Sequence, residues 1–131
     1  MHGMVPLDES REVVRPAIIW CDQLASEYVD SVYRIMGKEI FSRITLNPLS
    51  PGFLWMRDYE GENYKRVKTV LLPKDYVRYR LTGSIGSEIT DSSSTLVFDT
   101  STRQWSKKII ETLGLDETYF PELSDPLSVV G

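Results

Sequence analysis

Two side chains near the start of the chain, Trp20 and Asp22, could do chemistry, both inside "RPAIIWCDQ", Arg15 to Gln23. Trp20 has two readings: a half-buried core indole, or a flat platform for the C–H face of a sugar. Covering some ~40 Å² of apolar surface on such a platform contributes about 1 kcal/mol at ~25 cal/mol per Å². Asp22 either caps a helix by accepting backbone N–H bonds or accepts hydroxyl protons from a ligand, and its two oxygens allow both. His2 is the only histidine. That excludes a His-rich metal site and any pair of histidines sharing a catalytic task. A Ser-His-Asp triad would need His2 itself, and nothing resembles a nucleophile elbow. The phosphate-binding glycine loops, Gly-x-x-x-x-Gly-Lys-Ser/Thr and Gly-x-Gly-x-x-Gly, are missing. Asp75 and Asp91 stand at expected helix or turn starts, where capping is their ordinary role. Cys21, the only cysteine, leaves no internal disulfide or Cys-based zinc site and suits a reducing compartment. It is expected to turn inward, away from Trp20, as a small apolar residue.

Those residues need a frame. "MVPL" and "REVVRPAIIW" flank Asp8-Glu9-Ser10 as the arms of a hairpin. Pro16 sets the second arm at an edge or at a strand start. Asp22 is placed to cap a helix running to about Met36, with Ala25, Val29, Val32 and Met36 on one stripe and Gly37 at its C′ position. "NPLSPG", residues 47–52, predicts a break, followed by a short helix through "FLWMRDYEGENY". Val67 to Leu72 is a continuous apolar run, as in a strand covered on both faces. Pro73 opens a helix through "PKDYVRYRLTG" that Gly83 ends. "SEITDSSSTLVFDT" is turn-rich before turning apolar at Leu96 to Phe98. Ser101 or Thr102 caps a last predicted helix with Trp105, Ile109, Ile110 and Leu113 inside and Gly114 as its stop. The tail "ETYFPELSDPLSVVG" is irregular. The class is α/β, with few strands for the helices that need a sheet, and both ends abut useful-looking sequence. The expectation is one partial domain over residues 1–131, an excerpt of a longer protein.

The 131 residues, 41% hydrophobic and 26% charged, fit one globular domain with a core. No apolar run approaches the roughly 20 residues that span a bilayer, and "MHGMVPLDES" lacks the layout of a secretory signal. The net charge is −4 and the 15 basic residues are scattered, so neither nucleic acid nor membrane is an expected partner. Cytoplasm is the expected compartment.

The order of the segments adds a resemblance. "MHGMVPLDES…VVRPAIIWCDQ", "NPLSPGF", "LW", "VKTVLLPKDYVRYRLTG", "ITDSSSTLVFDTSTRQWS" and the closing "VVG" together resemble the FGGY carbohydrate kinases, and within them the xylulokinase-type enzymes. The likeness covers nearly the whole chain, and Val70 to Gly83 is its most specific stretch. It implies part of the N-terminal lobe of a two-lobed actin-like, RNase H-like ATPase fold. It also implies transfer of the γ-phosphoryl group of ATP, with Mg²⁺, to a hydroxyl of a ketopentose such as xylulose. The resemblance assigns Met1, His2, Trp20 and Asp22 to the sugar pocket. Three departures bear on this. Leu24 stands where the family has an arginine. Phe53 runs straight into Leu54, without the family's Thr-x-x-Lys stretch. The Asp-x-Gly-Thr hairpin that meets the phosphates is expected before Met1, and the catalytic aspartate after Gly131. The 131 residues alone are therefore expected to be inert. A lobe cut through its sheet is expected to self-associate through exposed edges. The alternative is a non-catalytic sugar-binding or regulatory homologue. An RNase H-like nuclease would need carboxylates converging on metal, and no such cluster is legible.

Overall fold

The computed structural model describes residues 2–36 and 49–130. Met1 and the expected Gly37 helix stop lie outside them. The first strand, β1 (Gly3–Leu7), is central to a three-stranded sheet of order β2-β1-β3. It pairs antiparallel with β2 (Ile18–Ile19) and with β3 (Thr69–Leu71). The hairpin joining β1 to β2 turns at Asp8, whose carboxylate accepts the N–H groups of Ser10 at 2.9 Å and Glu12 at 3.1 Å. Its returning arm is strand only at Ile18–Ile19, after Pro16, and touches the ladder once more through a Leu7–Val13 bridge. Proline cannot donate to a ladder, which accounts for the short arm at the sheet edge.

Helix α1 (Ser26–Met36) begins three residues later than the Asp22 cap predicts. Ala25 and Val32 are buried and Val29 half-buried, so the apolar stripe holds as far as it is described. Two helices, not one, follow: α2 (Leu49–Tyr59) and α3 (Gly61–Arg66), parted at Glu60. Of the break predicted over residues 47–52, 47 and 48 lie outside the described residues, and 49–52 are instead the first turn of α2. Pro51 is tolerated there because first-turn N–H groups have no helical partner to lose. Gly52 lets α2 close on β2, since a Cβ there would sit 3.3 Å from Ile18 Cδ1. The helix runs unbroken through Phe53 and Leu54, both buried.

The Val67–Leu72 run is buried at Val67, Val70, Leu71 and Leu72, as its continuous apolar character requires. Helix α4 (Pro73–Thr82) starts on its proline and ends on Gly83, whose φ of 75° is the left-handed cap. Strand β4 (Ser87–Glu88) leads into the one-turn helix α5 (Ile89–Ser92). A tight hairpin, β5 (Phe98–Asp99) with β6 (Gln104–Trp105), precedes α6 (Lys107–Thr112).

The last helix is therefore shorter than predicted. Its cap is Ser106, whose hydroxyl accepts the Ile109 N–H. Ser101 and Thr102 belong to the β5–β6 turn, where Asp99 accepts their N–H groups, and Trp105 is a strand residue. Gly114 ends the helix region with φ of 68°. The tail is less irregular than expected. It forms a 3-10 turn at Glu117–Tyr119 and strand β7 (Leu123–Ser124), parallel to β4.

β1 separates two apolar layers by its period of two. Met4 joins Ile18, Val32 and Phe53 on one side, while Val5 and Leu7 meet Leu71 on the other. Phe53 is fully buried, with Tyr64 and Tyr119 ring centres at 5.1 and 5.0 Å. Among the described residues no helix is long and apolar enough to cross a membrane.

Candidate functional site

The β1–β2 ladder pairs Gly3 with Ile19 and Met4 with Ile18. His2 comes just before β1 and Trp20 just after β2, in the turn that follows the ladder, so both adjoin its Gly3–Ile19 end. Trp20 is 70% exposed, so the reading of it as a half-buried core indole is excluded. His2 is half-buried.

Gly3 explains the glycine of "MHG". A Cβ there would lie 2.9 Å from the Ile18 carbonyl oxygen and 2.9 Å from Pro73 Cγ. Only a hydrogen in place of a side chain lets β2 and the start of α4 press on β1 from both directions, next to His2.

Asp22 corrects an expectation. It caps no helix: its Oδ2 accepts the Ile19 N–H at 2.8 Å, and its own N–H donates to the Ile19 carbonyl at 2.9 Å. The carboxylate closes the turn that carries Trp20. Cys21 is exposed rather than turned inward, because this tight turn leaves the strand before Cys21 can enter the core. Leu24 is 45% exposed. Met1, assigned to the same pocket by resemblance, lies outside the described residues.

Behind His2 is a polar shelf that spacing did not reveal. Ser94 Oγ lies 3.3 Å from His2 Nδ1 and donates to the Asp91 carbonyl at 2.7 Å. The shelf follows α5, whose cap is Glu88: its carboxylate accepts the N–H groups of Thr90 at 2.8 Å and Asp91 at 2.7 Å. Burial works against charge on Glu88. Those two N–H groups and the Lys74 ammonium, at 3.1 Å, nonetheless hold it below the ordinary carboxylate range. Asp91, expected as a cap, instead gives its N–H to Glu88 and its carbonyl to Ser94.

Asp75, likewise expected as a cap, is buried at 1% exposure. It accepts the Ser87 hydroxyl and the Lys74 ammonium, the latter at 2.7 Å. A buried carboxylate must be paired, and Lys74 bridges it to Glu88, tying α4 to β4 and α5. The Ser50 hydroxyl on α2 donates to the Thr95 carbonyl at 2.8 Å and fixes the other end of the shelf. Sequence reasoning missed Lys74, Glu88 and Ser94. The only local signal was Glu88 three residues before Asp91, in a serine-rich turn.

His2 and Trp20 thus flank one end of the ladder, with the turn closed by Asp22 carrying Trp20 and the Ser94 hydroxyl beside His2. The whole chain, residues 1–131, matches the FGGY family of carbohydrate kinases, N-terminal domain. The chain belongs to that family. Among its relatives, the xylulose kinase of Staphylococcus xylosus is 34% identical over 128 residues, covering 94% of this chain and 26% of that protein. The xylulose kinase of Lactococcus lactis is 36% identical over 135 residues, covering 100% and 27%. The crystal structure of a xyloylose kinase from Brucella ovis superposes with a TM-score of 0.81 at 34% identity, covering 100% of this chain and 28% of that one. A gluconate kinase from Lactobacillus acidophilus superposes with a TM-score of 0.87 at 22% identity, which speaks to fold alone. The chain thus spans about a quarter of the length of these relatives, and its architecture is a partial α/β unit of the actin-like sugar-kinase fold.

Proposed function

We propose that these residues form the sugar-facing part of a carbohydrate kinase whose substrate is a ketopentose such as xylulose. The observation that supports the reading is the exposed Trp20 ring beside the end of the β1–β2 ladder that His2 also adjoins. Trp20 covers the C–H face of the sugar, His2 offers a ring nitrogen to a sugar oxygen, and Asp22 accepts a hydroxyl proton on the oxygen not held by Ile19. Met1 lines the same hollow by resemblance. The names of the relatives, xylulose kinases at 34–36% identity, favour a pentose.

ATP and Mg²⁺ are the co-substrate and ion that such a transfer uses. The described residues do not fit either group. No three His, Cys, Asp or Glu side chains among them converge to hold a metal ion, and the sequence has no phosphate-binding glycine loop. Phosphoryl transfer depends on positioning and charge stabilisation around the phosphates, and a general base is typically worth ~10²–10⁴-fold. The described residues supply neither, and they act as a binding portion of a larger protein, cytoplasmic and free of nucleic acid.

The test is a panel of ketopentoses and ATP with the whole protein and its Trp20→Ala and His2→Ala forms. The expected outcome is phosphorylation of a ketopentose, with kcat/KM about fivefold lower for Trp20→Ala, the equivalent of losing about 1 kcal/mol of apolar cover. The 131-residue polypeptide should give no turnover above a mock purification. Saturable sugar binding by the whole protein without any phosphorylation would favour the non-catalytic sugar-binding reading, which Leu24 in place of an arginine supports.

A further inference from the structure

We propose that Lys74 is a positioning residue for the sugar: its ammonium braces the polar shelf against the start of β1 and so fixes the surroundings of His2. The proposal rests on the sugar-site reading of His2 and adds to it a residue that itself touches no ligand.

The place of Lys74 in the chain is locally unfavourable. It follows Pro73 in the first turn of α4, where the positive end of the helix dipole disfavours a cation. What holds the ammonium there is tertiary. Its Nζ lies 2.7 Å from Asp75 Oδ1, 3.1 Å from Glu88 Oε1 and 3.9 Å from Asp91 Oδ2. Asp75, on the same helix, has other partners: the Ser87 hydroxyl donates to its second oxygen, and Arg78 Nη2 stands 4.0 Å from the first. Glu88 and Asp91, on β4 and α5, form no other ion pair among the described residues. Two carboxylates that share one ammonium repel each other once it is gone.

The brace has a root and a tip. At the root, α4 starts hard against β1, since a Cβ on Gly3, the residue next to His2, would lie 2.9 Å from Pro73 Cγ. At the tip, the Glu88 oxygen that meets the ammonium also accepts the Asp91 N–H at 2.7 Å. The Asp91 carbonyl in turn accepts the Ser94 hydroxyl at 2.7 Å and the Ser94 N–H at 3.1 Å. Ser94 Oγ lies 3.3 Å from His2 Nδ1. One side chain therefore spans from the helix start packed beside His2 to the turn that reaches the His2 ring. Hydrogen bonds between ionised partners are the shorter and stronger kind, which suits a brace.

Removing Lys74 alone would strand the buried Asp75 charge, so the test is made in the Asp75→Asn background. The whole protein is assayed with xylulose and ATP as Asp75→Asn, Lys74→Met/Asp75→Asn, Lys74→Arg and His2→Gln. Relative to Asp75→Asn, the double variant should raise the xylulose KM about tenfold, less than the ~10²-fold cost of a full 1 Å misplacement. Its kcat and its KM for ATP should stay within about twofold, the pattern of lost uniform binding of one substrate. Lys74→Arg keeps the cation and should restore the xylulose KM. The second readout is ¹⁵N–¹H correlation spectroscopy of the ¹⁵N-histidine-labelled protein, in which His2→Gln identifies the His2 signals. Those signals should move in the double variant and stay in place in Asp75→Asn. Unmoved His2 signals in the double variant, or signals that move equally in Asp75→Asn, overturn the proposal. So does an equal rise in the KM values for xylulose and ATP, which marks a general loss of structure. If the His2 signals move as expected but neither His2→Gln nor the double variant alters the xylulose KM, the brace stands and the sugar-site reading is refuted.

Discussion

Replacing Gly3 with alanine should destabilise the protein although it adds one methyl group and breaks no hydrogen bond. Gly3 does not have positive φ, so alanine is compatible with the backbone and the penalty is one of space. The new Cβ would meet the Ile18 carbonyl oxygen and Pro73 Cγ, each at 2.9 Å, with Pro73 Cδ at 3.4 Å. The Pro73 contact is about 0.6 Å inside the ~3.5 Å at which carbon atoms rest. Neither obstacle can step aside cheaply. The Ile18 carbonyl belongs to the ladder that pairs Met4 with Ile18, and Pro73 is the rigid first residue of α4. Overpacking of this kind costs about 1–3 kcal/mol. The loss of glycine's freedom in the unfolded chain returns about 0.4–1 kcal/mol. The net expectation is a loss of about 1–2 kcal/mol. Gly61 is the internal control: nothing lies within 4 Å of a Cβ there, and Gly61→Ala should stabilise by about 0.4–1 kcal/mol. Urea unfolding followed by tryptophan fluorescence reads both, as midpoint shifts in opposite directions at constant slope. Equal stability of Gly3→Ala and wild type, or midpoints that move together, would refute the close packing of β2 and α4 on β1.

Two further outcomes follow from the shelf. Asp75→Asn keeps the shape but removes the buried charge held by Lys74 and Ser87. Lys74 retains Glu88 at 3.1 Å, so the expected loss is about 2 kcal/mol, the scale of hydrogen bonds to a charged group, rather than that of a stranded charge. A double-mutant cycle with Ser87→Ala should show a coupling above about 0.5 kcal/mol; additivity would dismiss the contact. Glu88, held below its ordinary value of 4.5, contributes stability that is complete above pH 4.5 and lost as pH falls through its lowered folded value. The stability gap between wild type and Glu88→Gln should thus be widest near neutrality and close on acidification, as thermal melts at pH 7 and below pH 4 would show.

Helix α4 was legible because both of its ends carry unambiguous backbone chemistry. Proline at the first position and a left-handed glycine after the last have few other uses. The caps were less legible. An Asp or Ser oxygen accepts a nearby N–H whether or not a helix follows. Asp22 spends its acceptor on Ile19, and Asp99 collects the N–H groups of Ser101 and Thr102, so both predicted starts became turns. Pro51 and Gly52 looked like breakers, yet a first helical turn tolerates both. Glu88 as a cap is chosen by the Lys74 ammonium, which only the fold brings near. At the site, Trp20 stood out from its own stretch and His2 by resemblance, and the hairpin brings both to one end of the ladder. Ser94 left no trace because its contact to His2 spans 92 positions of chain. The serine-rich turn reads as linker until something rests on it.

The parallel pairing of β4 with β7 gives the chain's last segment an unexpected reach. Ser87 donates its N–H to the Glu122 carbonyl at 2.9 Å and receives the Ser124 hydroxyl on its own carbonyl at 3.2 Å, while its side chain sits on Asp75. Residues 122–124 thus act as a guy-rope on the strand from which Glu88 and the turn beyond it are hung. A tug, a cut or a binding partner at that tail would be felt at the imidazole, more than a hundred positions away in sequence.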